Sequence, residues 1–194
     1  TNGLALRLTS PEMKNDREVV LAAIQQNGAS LQYASANVKH DRGIVTSVVR
    51  KCGLLLRYAS LFLRDDKEVC LLAVKSDGRA LRYASRRQQN ERDVVSEAID
   101  QIGSAIQYAS VEMKRDREIV MQAARKSAFA LRCASDDLRN DRAFVIEAVG
   151  YKGRALEFAS DELKDDREVV LKAVLQGGYS LRYASSRWKN DRDM

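Results

Sequence analysis

Apolar residues recur along this chain in two short stripes separated by polar punctuation, and the arrangement returns every 25 residues. The stretch "SPEMKNDREVVLAAI" at Ser10–Ile24 comes back as "SDELKDDREVVLKAV" at Ser160–Val174, with weaker copies between them. Each period is counted here from a glycine: Gly3, Gly28, Gly53, Gly78, Gly103, Gly153 and Gly178, with Ala128 in the sixth place. Positions 4, 7, 8 and 11 carry the first stripe, as in Leu156, Ala159, Ser160 and Leu163. That spacing predicts one face of a helix. Positions 17, 18, 21 and 22 carry the second, as in Val169, Val170, Ala173 and Val174. Each period is therefore expected to fold as a short helix, a turn and a longer helix.

The polar residues between the stripes read as helix signals. Ser at position 8 is present in all eight periods and once precedes proline, at Pro11, as an N-cap would. Asp at position 14, with Glu91 as its one substitute, precedes the second stripe and can accept from the free N–H groups of the next helical turn. Glu at position 16, as in Glu18 and Glu168, suits the positive end of that helix. Glycine at position 1 is expected to end the long helix in the left-handed conformation. Small residues at positions 3 and 7, such as Ala80 and Ala84, allow close approach of neighbouring first helices.

These elements define an all-α fold: an α-solenoid of 25-residue helix–turn–helix repeats, seven complete and an eighth partial. Residues 1–194 are expected to form a single elongated repeat domain that grows by stacking. The eighth period stops at Met194, where its second helix should begin, so the chain reads as a piece of a longer array. Its apolar ends invite end-to-end self-association.

Composition narrows the function classes. Charged residues are 31% and apolar residues 45% of the chain, with one proline. No apolar run approaches the roughly 20 residues that cross a bilayer, so no membrane insertion is expected. Cys52, Cys70 and Cys133 are odd in number and lack metal spacing, which favours a reducing cytosolic or nuclear compartment.

Catalysis finds little support, and no cofactor is expected. His40 is the only histidine and has no cysteine partner at a matching repeat position. Adjacent carboxylates occur at Asp65–Asp66 and Asp165–Asp166, but one of each pair is the repeated cap. The glycines are dispersed, so no phosphate-cradling loop is present.

The pattern G-x-x-L-x-Y-A-S-x-x-L-K-x-D-R-E-V-V-x-x-A-V is clearest in "GRALEFASDELKDDREVVLKAV", Gly153–Val174. It resembles the short tandem repeats of the family called domain of unknown function 4116. The resemblance covers nearly the whole chain. It implies tandem helical repeats and supplies no catalytic residues to carry over.

Two binding readings remain. A repeat frame that presents variable side chains suits recognition of another protein, and the variable positions 2 and 10 give Arg79, Phe129, Arg154 and Tyr179, and Phe62, Arg87 and Arg187. The alternative is a polyanion or nucleic acid held by repeated basic rows. Position 5 contributes Arg7, Arg57, Arg82, Arg132 and Arg182, and position 15 contributes Arg17, Arg42, Lys67, Arg92, Arg117, Arg142, Arg167 and Arg192. Position 12 adds Lys or Arg in seven periods. Against it, carboxylates at positions 14 and 16 alternate with those cations, and the net charge is only +6. An aromatic row at position 6, from Tyr33 to Tyr183, is expected to pack between layers, because Leu8 and Cys133 take the same place.

Overall fold

The computed structural model describes residues 3–189. Repeats one to four, six and seven have three helical segments where the stripes predict two, and repeat five has a turn at residues 111–115 in place of the middle one. Repeat three shows the arrangement: a 3-10 helix at Gly53–Tyr58, a short α-helix at Leu61–Arg64 and a ten-residue α-helix at Lys67–Ser76. Repeat seven repeats it at Gly153–Phe158, Asp161–Asp165 and Arg167–Gln176. No strand occurs among the described residues.

The break between the first two segments corrects the single short helix expected from positions 4, 7, 8 and 11. Ala at position 7 is extended, as at Ala34 with φ −65° and ψ 158°. Its N–H closes a 3-10 turn on Leu31 O at 3.2 Å. The next N–H, from Ser35, leaves the repeat and donates to Lys14 O at 2.8 Å. That donor is thereby committed to a neighbouring repeat and does not continue the helix. The same bond recurs as Ser60 to Lys39 and Ser85 to Arg64 in the first half of the chain. In the second half it runs from Ser135 to Lys114, Ser160 to Arg139 and Ser185 to Lys164. The apolar stripe is nevertheless buried as expected, with Leu31, Ala34 and Val38 all at 5% exposure or less.

Both predicted caps form. Ser35 Oγ accepts from Val38 N at 3.3 Å, and Ser160 Oγ from Leu163 N at 3.4 Å. Asp116 accepts from Glu118 N and Ile119 N, both at 3.0 Å. Such caps each stabilise a helix by about 1 kcal/mol.

The glycines do a different job from the one expected. No described residue has positive φ. The long helix ends instead on an extended residue at position 25, such as Cys52 at φ −150° and ψ 101°, and the glycine opens the next 3-10 segment. In the odd repeats glycine is required there by proximity. A Cβ on Gly53 would press into the Ala73 carbonyl, and one on Gly153 would sit 2.5 Å from Ala173 O. Ala128, at φ −55° and ψ −29°, opens an α-helical segment at Phe129–Cys133 in place of the 3-10 form.

The chain divides into two compact units, Thr1–Gln101 and Ile102–Met194. In the first, the long helices Arg42–Lys51, Lys67–Ser76 and Arg92–Gln101 pack in sequence. Ile44, Val45, Val69, Val74, Val94 and Ile99 are buried there to 1% exposure or less. In the second, Arg117–Lys126, Arg142–Tyr151 and Arg167–Gln176 do the same around Val120, Phe144, Val145 and Val170. Each such side chain contributes roughly 1.5–3 kcal/mol by leaving water. Cys70 substitutes for a core valine: burial pushes its thiol up to about 12, and it donates to Arg64 O at 3.2 Å.

Candidate interaction surface

The repeated Asp-Arg-Glu is a structural joint between repeats. Its aspartate caps its own long helix, while its basic residue reaches the carboxylates of the following repeat. Arg17 meets Asp41 at 3.2 Å, and Arg42 meets Asp66 at 3.4 Å and Glu68 at 2.5 Å. Lys67 meets Glu91 at 2.8 Å and Asp93 at 2.6 Å. In the second unit Arg117 meets Asp141 at 2.5 Å, and Arg142 meets Asp166 at 2.8 Å and Glu168 at 2.5 Å. Arg92 is also engaged. Arg192, and the eighth-repeat carboxylates that would answer Arg167, lie outside the described residues. The Arg142 guanidinium holds the Asp166 carboxyl below its ordinary range, assisted by the N–H groups of Val169 and Glu168. For Asp141 the Phe144 N–H is the main cause, followed by Arg117.

The basic row at position 12 is used differently. Lys39 Nζ donates to Gln32 O at 2.7 Å, and Lys114 Nζ to Gln107 O at 2.8 Å. Arg64 Nε donates to Tyr83 O in the next repeat. These side chains satisfy carbonyls near the ends of the 3-10 segments. In Arg139 and Lys164 the head groups turn to Asp136 and Asp161, three residues back.

Position 5 behaves otherwise again. Arg7, Arg57, Arg82, Arg132 and Arg182 are exposed, and no described carboxylate pairs with them. Four of them lie over rings: Arg57 over Tyr58 at 4.4 Å, Arg82 over Tyr83 at 5.8 Å, Arg132 over Phe129 at 5.2 Å and Arg182 over Tyr183 at 5.5 Å. Arg57 also donates to the Tyr58 hydroxyl, and this bond and that to Tyr83 raise its pKa. The rings of Tyr33, Tyr58, Tyr83, Tyr108, Phe158 and Tyr183 are all half-buried.

The variable positions also divide. Phe62 is 66% exposed beside Leu61 at 77%, and its ring stacks on His40 with centroids 4.9 Å apart. Tyr179 is exposed. Phe129 is half-buried and meets Phe158 of the next repeat edge-on at 6.4 Å. Arg79 is paired with Asp77 at 2.7 Å and Arg154 with Glu157 at 2.9 Å. Arg87 and Arg187 reach back to Asp65 at 3.1 Å and Asp165 at 3.8 Å.

That backward reach is shared by two position-11 residues that carry a side-chain N–H donor. Gln88 is buried and its Nε2 donates to Asp65 O at 2.7 Å, while its Oε1 has no partner. Trp188 Nε1 donates to Asp165 O at 2.8 Å. The coincidence of Asp at position 13 with a side-chain donor at position 11 of the next repeat was visible in the sequence as a co-occurrence in repeats three and four and again in seven and eight.

Among the described residues no cluster of three or more His, Cys, Asp or Glu could hold a metal ion, and no helix is long and apolar enough to cross a membrane. An open groove of about 780 Å³ lies in the second unit between the short helices of repeats six and seven, flanked by Asp136, Asp137, Asp161 and Glu162 together with Arg139 and Lys164.

The family described as Domain of unknown function (DUF4116) matches at residues 1–39, 41–87, 91–139, 116–164 and 166–194. No curated protein and no solved structure matches the chain.

Proposed function

The chain belongs to the DUF4116 family, and from that premise we propose that it is a non-enzymatic repeat scaffold that recognises another protein. The observation that carries this reading is a division of labour. The charged residues written into every repeat face their neighbours, whereas large side chains that differ between repeats, such as Leu61, Phe62, Val111 and Tyr179, face solvent. Single exposed apolar groups are ordinary on a protein surface. Adjacent ones on a rigid frame supply the kind of anchor that dominates protein interfaces. The frame itself uses its caps and carboxylates for stacking, which leaves them poorly suited to acid–base chemistry. Three unbridged cysteines suit a reducing cytosolic or nuclear setting.

The polyanion alternative keeps only part of its sequence support. Its position-15 row is largely neutralised by carboxylates, leaving the arginines at position 5 and the cations at position 12. A photo-crosslinking residue placed at position 62 tests the main reading. Covalent protein adducts that disappear in a Leu61→Glu background with unchanged melting are expected. RNA adducts alone, or none, would overturn the proposal.

A further inference from the structure

On the 3-10 edge of the first unit, positive charge accumulates without an answering carboxylate. Lys39 and Arg64 donate to backbone carbonyls, and Arg57 and Arg82 rest on tyrosine rings. Among the described residues, no carboxylate pairs with any of these four. The one arginine nearby that is neutralised, Arg79, has its own Asp77. Elsewhere in the same unit the position-15 cations Arg17, Arg42 and Lys67 find acidic partners, so the imbalance belongs to this edge.

We propose that the strip formed by Arg57, Tyr58, Arg82 and Tyr83 docks an acidic peptide: an extended segment of a partner protein with carboxylates about three residues apart. The inference rests on the scaffold reading and names the chemistry of its partner. Three arguments favour a peptide. First, each guanidinium presents a planar fork of donors that matches a carboxylate, and Arg57 is already oriented by the Tyr58 hydroxyl. Second, elements in neighbouring layers sit about 8–10 Å apart, and three residues of an extended polyproline-type chain span about 9 Å. One carboxylate per layer then follows without strain. Third, the face of each tyrosine is covered by its own arginine, which removes the open ring that a nucleobase would stack upon.

The test is fluorescence anisotropy with the whole chain and three labelled probes: a peptide with glutamate at every third residue, the same peptide with glutamine, and an oligouridylate. The glutamate peptide should bind with an affinity that falls as salt rises, and the glutamine peptide should bind at least tenfold more weakly. Arg57→Gln/Arg82→Gln should lose about tenfold in affinity for the glutamate peptide, while Arg17→Gln, in the neutralised ladder, should keep it. Melting curves of both variants show whether either is unfolded. Equal binding of the two peptides, wild-type affinity in the double variant, or tighter binding of the oligouridylate through the same arginines each overturns the strip. If the acidic peptide fails while position 62 still cross-links a protein, the strip falls and the scaffold reading stands; if both fail, so do both readings.

Discussion

Two rows of cations run along the first unit at the same 25-residue interval, and the fold treats them oppositely. Arg17, Arg42 and Lys67 stand at the start of the long helices, where the next repeat presents a capping aspartate or Glu91 and, for the latter two, a further acid. Arg57 and Arg82 stand at the end of the 3-10 segments, each over the tyrosine of its own repeat, with Tyr83 of the next repeat also beside Arg57 and no described acid paired with either. A periodic charge in a repeat protein is therefore informative only once its neighbour one period away is known. The first row joins layers; the second is left facing outward.

The largest expected effect comes from disturbing the 3-10 edge at its seat. Gly53→Ala drives a Cβ into the rigid Ala73 carbonyl, and overpacking of this kind costs roughly 1–3 kcal/mol. Gly177→Ala is the control, because a Cβ there meets nothing within 4 Å and other repeats carry Asn27, Cys52 or Lys152 at that position. Thermal melts should separate the two, and equal melting temperatures would refute the proximity argument. In the second unit, Asp166→Ala removes a cap that accepts from Glu168 N and Val169 N, and should cost about 1 kcal/mol.

Acid should act on the same groups. Ser85 and Arg87 hold the Asp65 carboxyl low, Arg79 holds Asp77, the Phe144 N–H holds Asp141, and Arg142 holds Asp166. Carboxyl values lowered by folding stabilise the fold above the unfolded value near pH 4, and that stability is lost as pH falls through the lowered ones. Melting temperature should hold from pH 7 to about 5 and drop below about pH 4, with a smaller drop in Asp166→Ala. An equal drop in the variant would show that the cap is not linked to the titration.

Smaller effects sharpen the contrast further. Ala128→Gly should destabilise by about 0.5–1 kcal/mol, because Ala128 opens a right-handed helical segment and no left-handed residue is needed there. Stabilisation in that variant would restore the left-handed cap. Smallest of all, Arg142→Gln removes an exposed pair of salt bridges, so melting should fall slightly at low salt and match wild type at high salt.

Much of this architecture could be read from residue order. Ser at position 8, Asp at position 14 and the second apolar stripe behave as their local chemistry requires, because caps and amphipathic faces depend on residues only three or four apart. What escaped was non-local. Where the first helix breaks, Ser35 N–H bonds to Lys14 O, 21 residues back. The glycines of the odd repeats, Gly3, Gly53, Gly103 and Gly153, answer to a carbonyl 20 residues ahead, as Gly53 does to Ala73. An alternation was legible but passed over: Glu18, Glu68, Glu118 and Glu168 fill position 16 in odd repeats, against Gly43, Asp93 and Ala143 in even ones. It explains why Arg42 and Arg142 each meet two carboxylates while Arg17 and Arg117 meet one. Three of the five family matches, such as 41–87 and 91–139, span close to two periods each. For the candidate surface, residue types alone could not separate Arg87, tied to Asp65, from Phe62, which stays open to solvent.

The bonds that join one repeat to the next share a narrow range of chain separation. They run from 19 residues, for Arg64 to Tyr83, to 26, for Arg42 to Glu68. The entropic cost of closing a chain segment grows with its length, and folding slows as contacts become more distant in sequence. Here that distance is set by the period and not by the number of repeats. Lengthening such a chain by another period adds one more closure of the same size, so a long array can fold layer upon layer at nearly the pace of a short one.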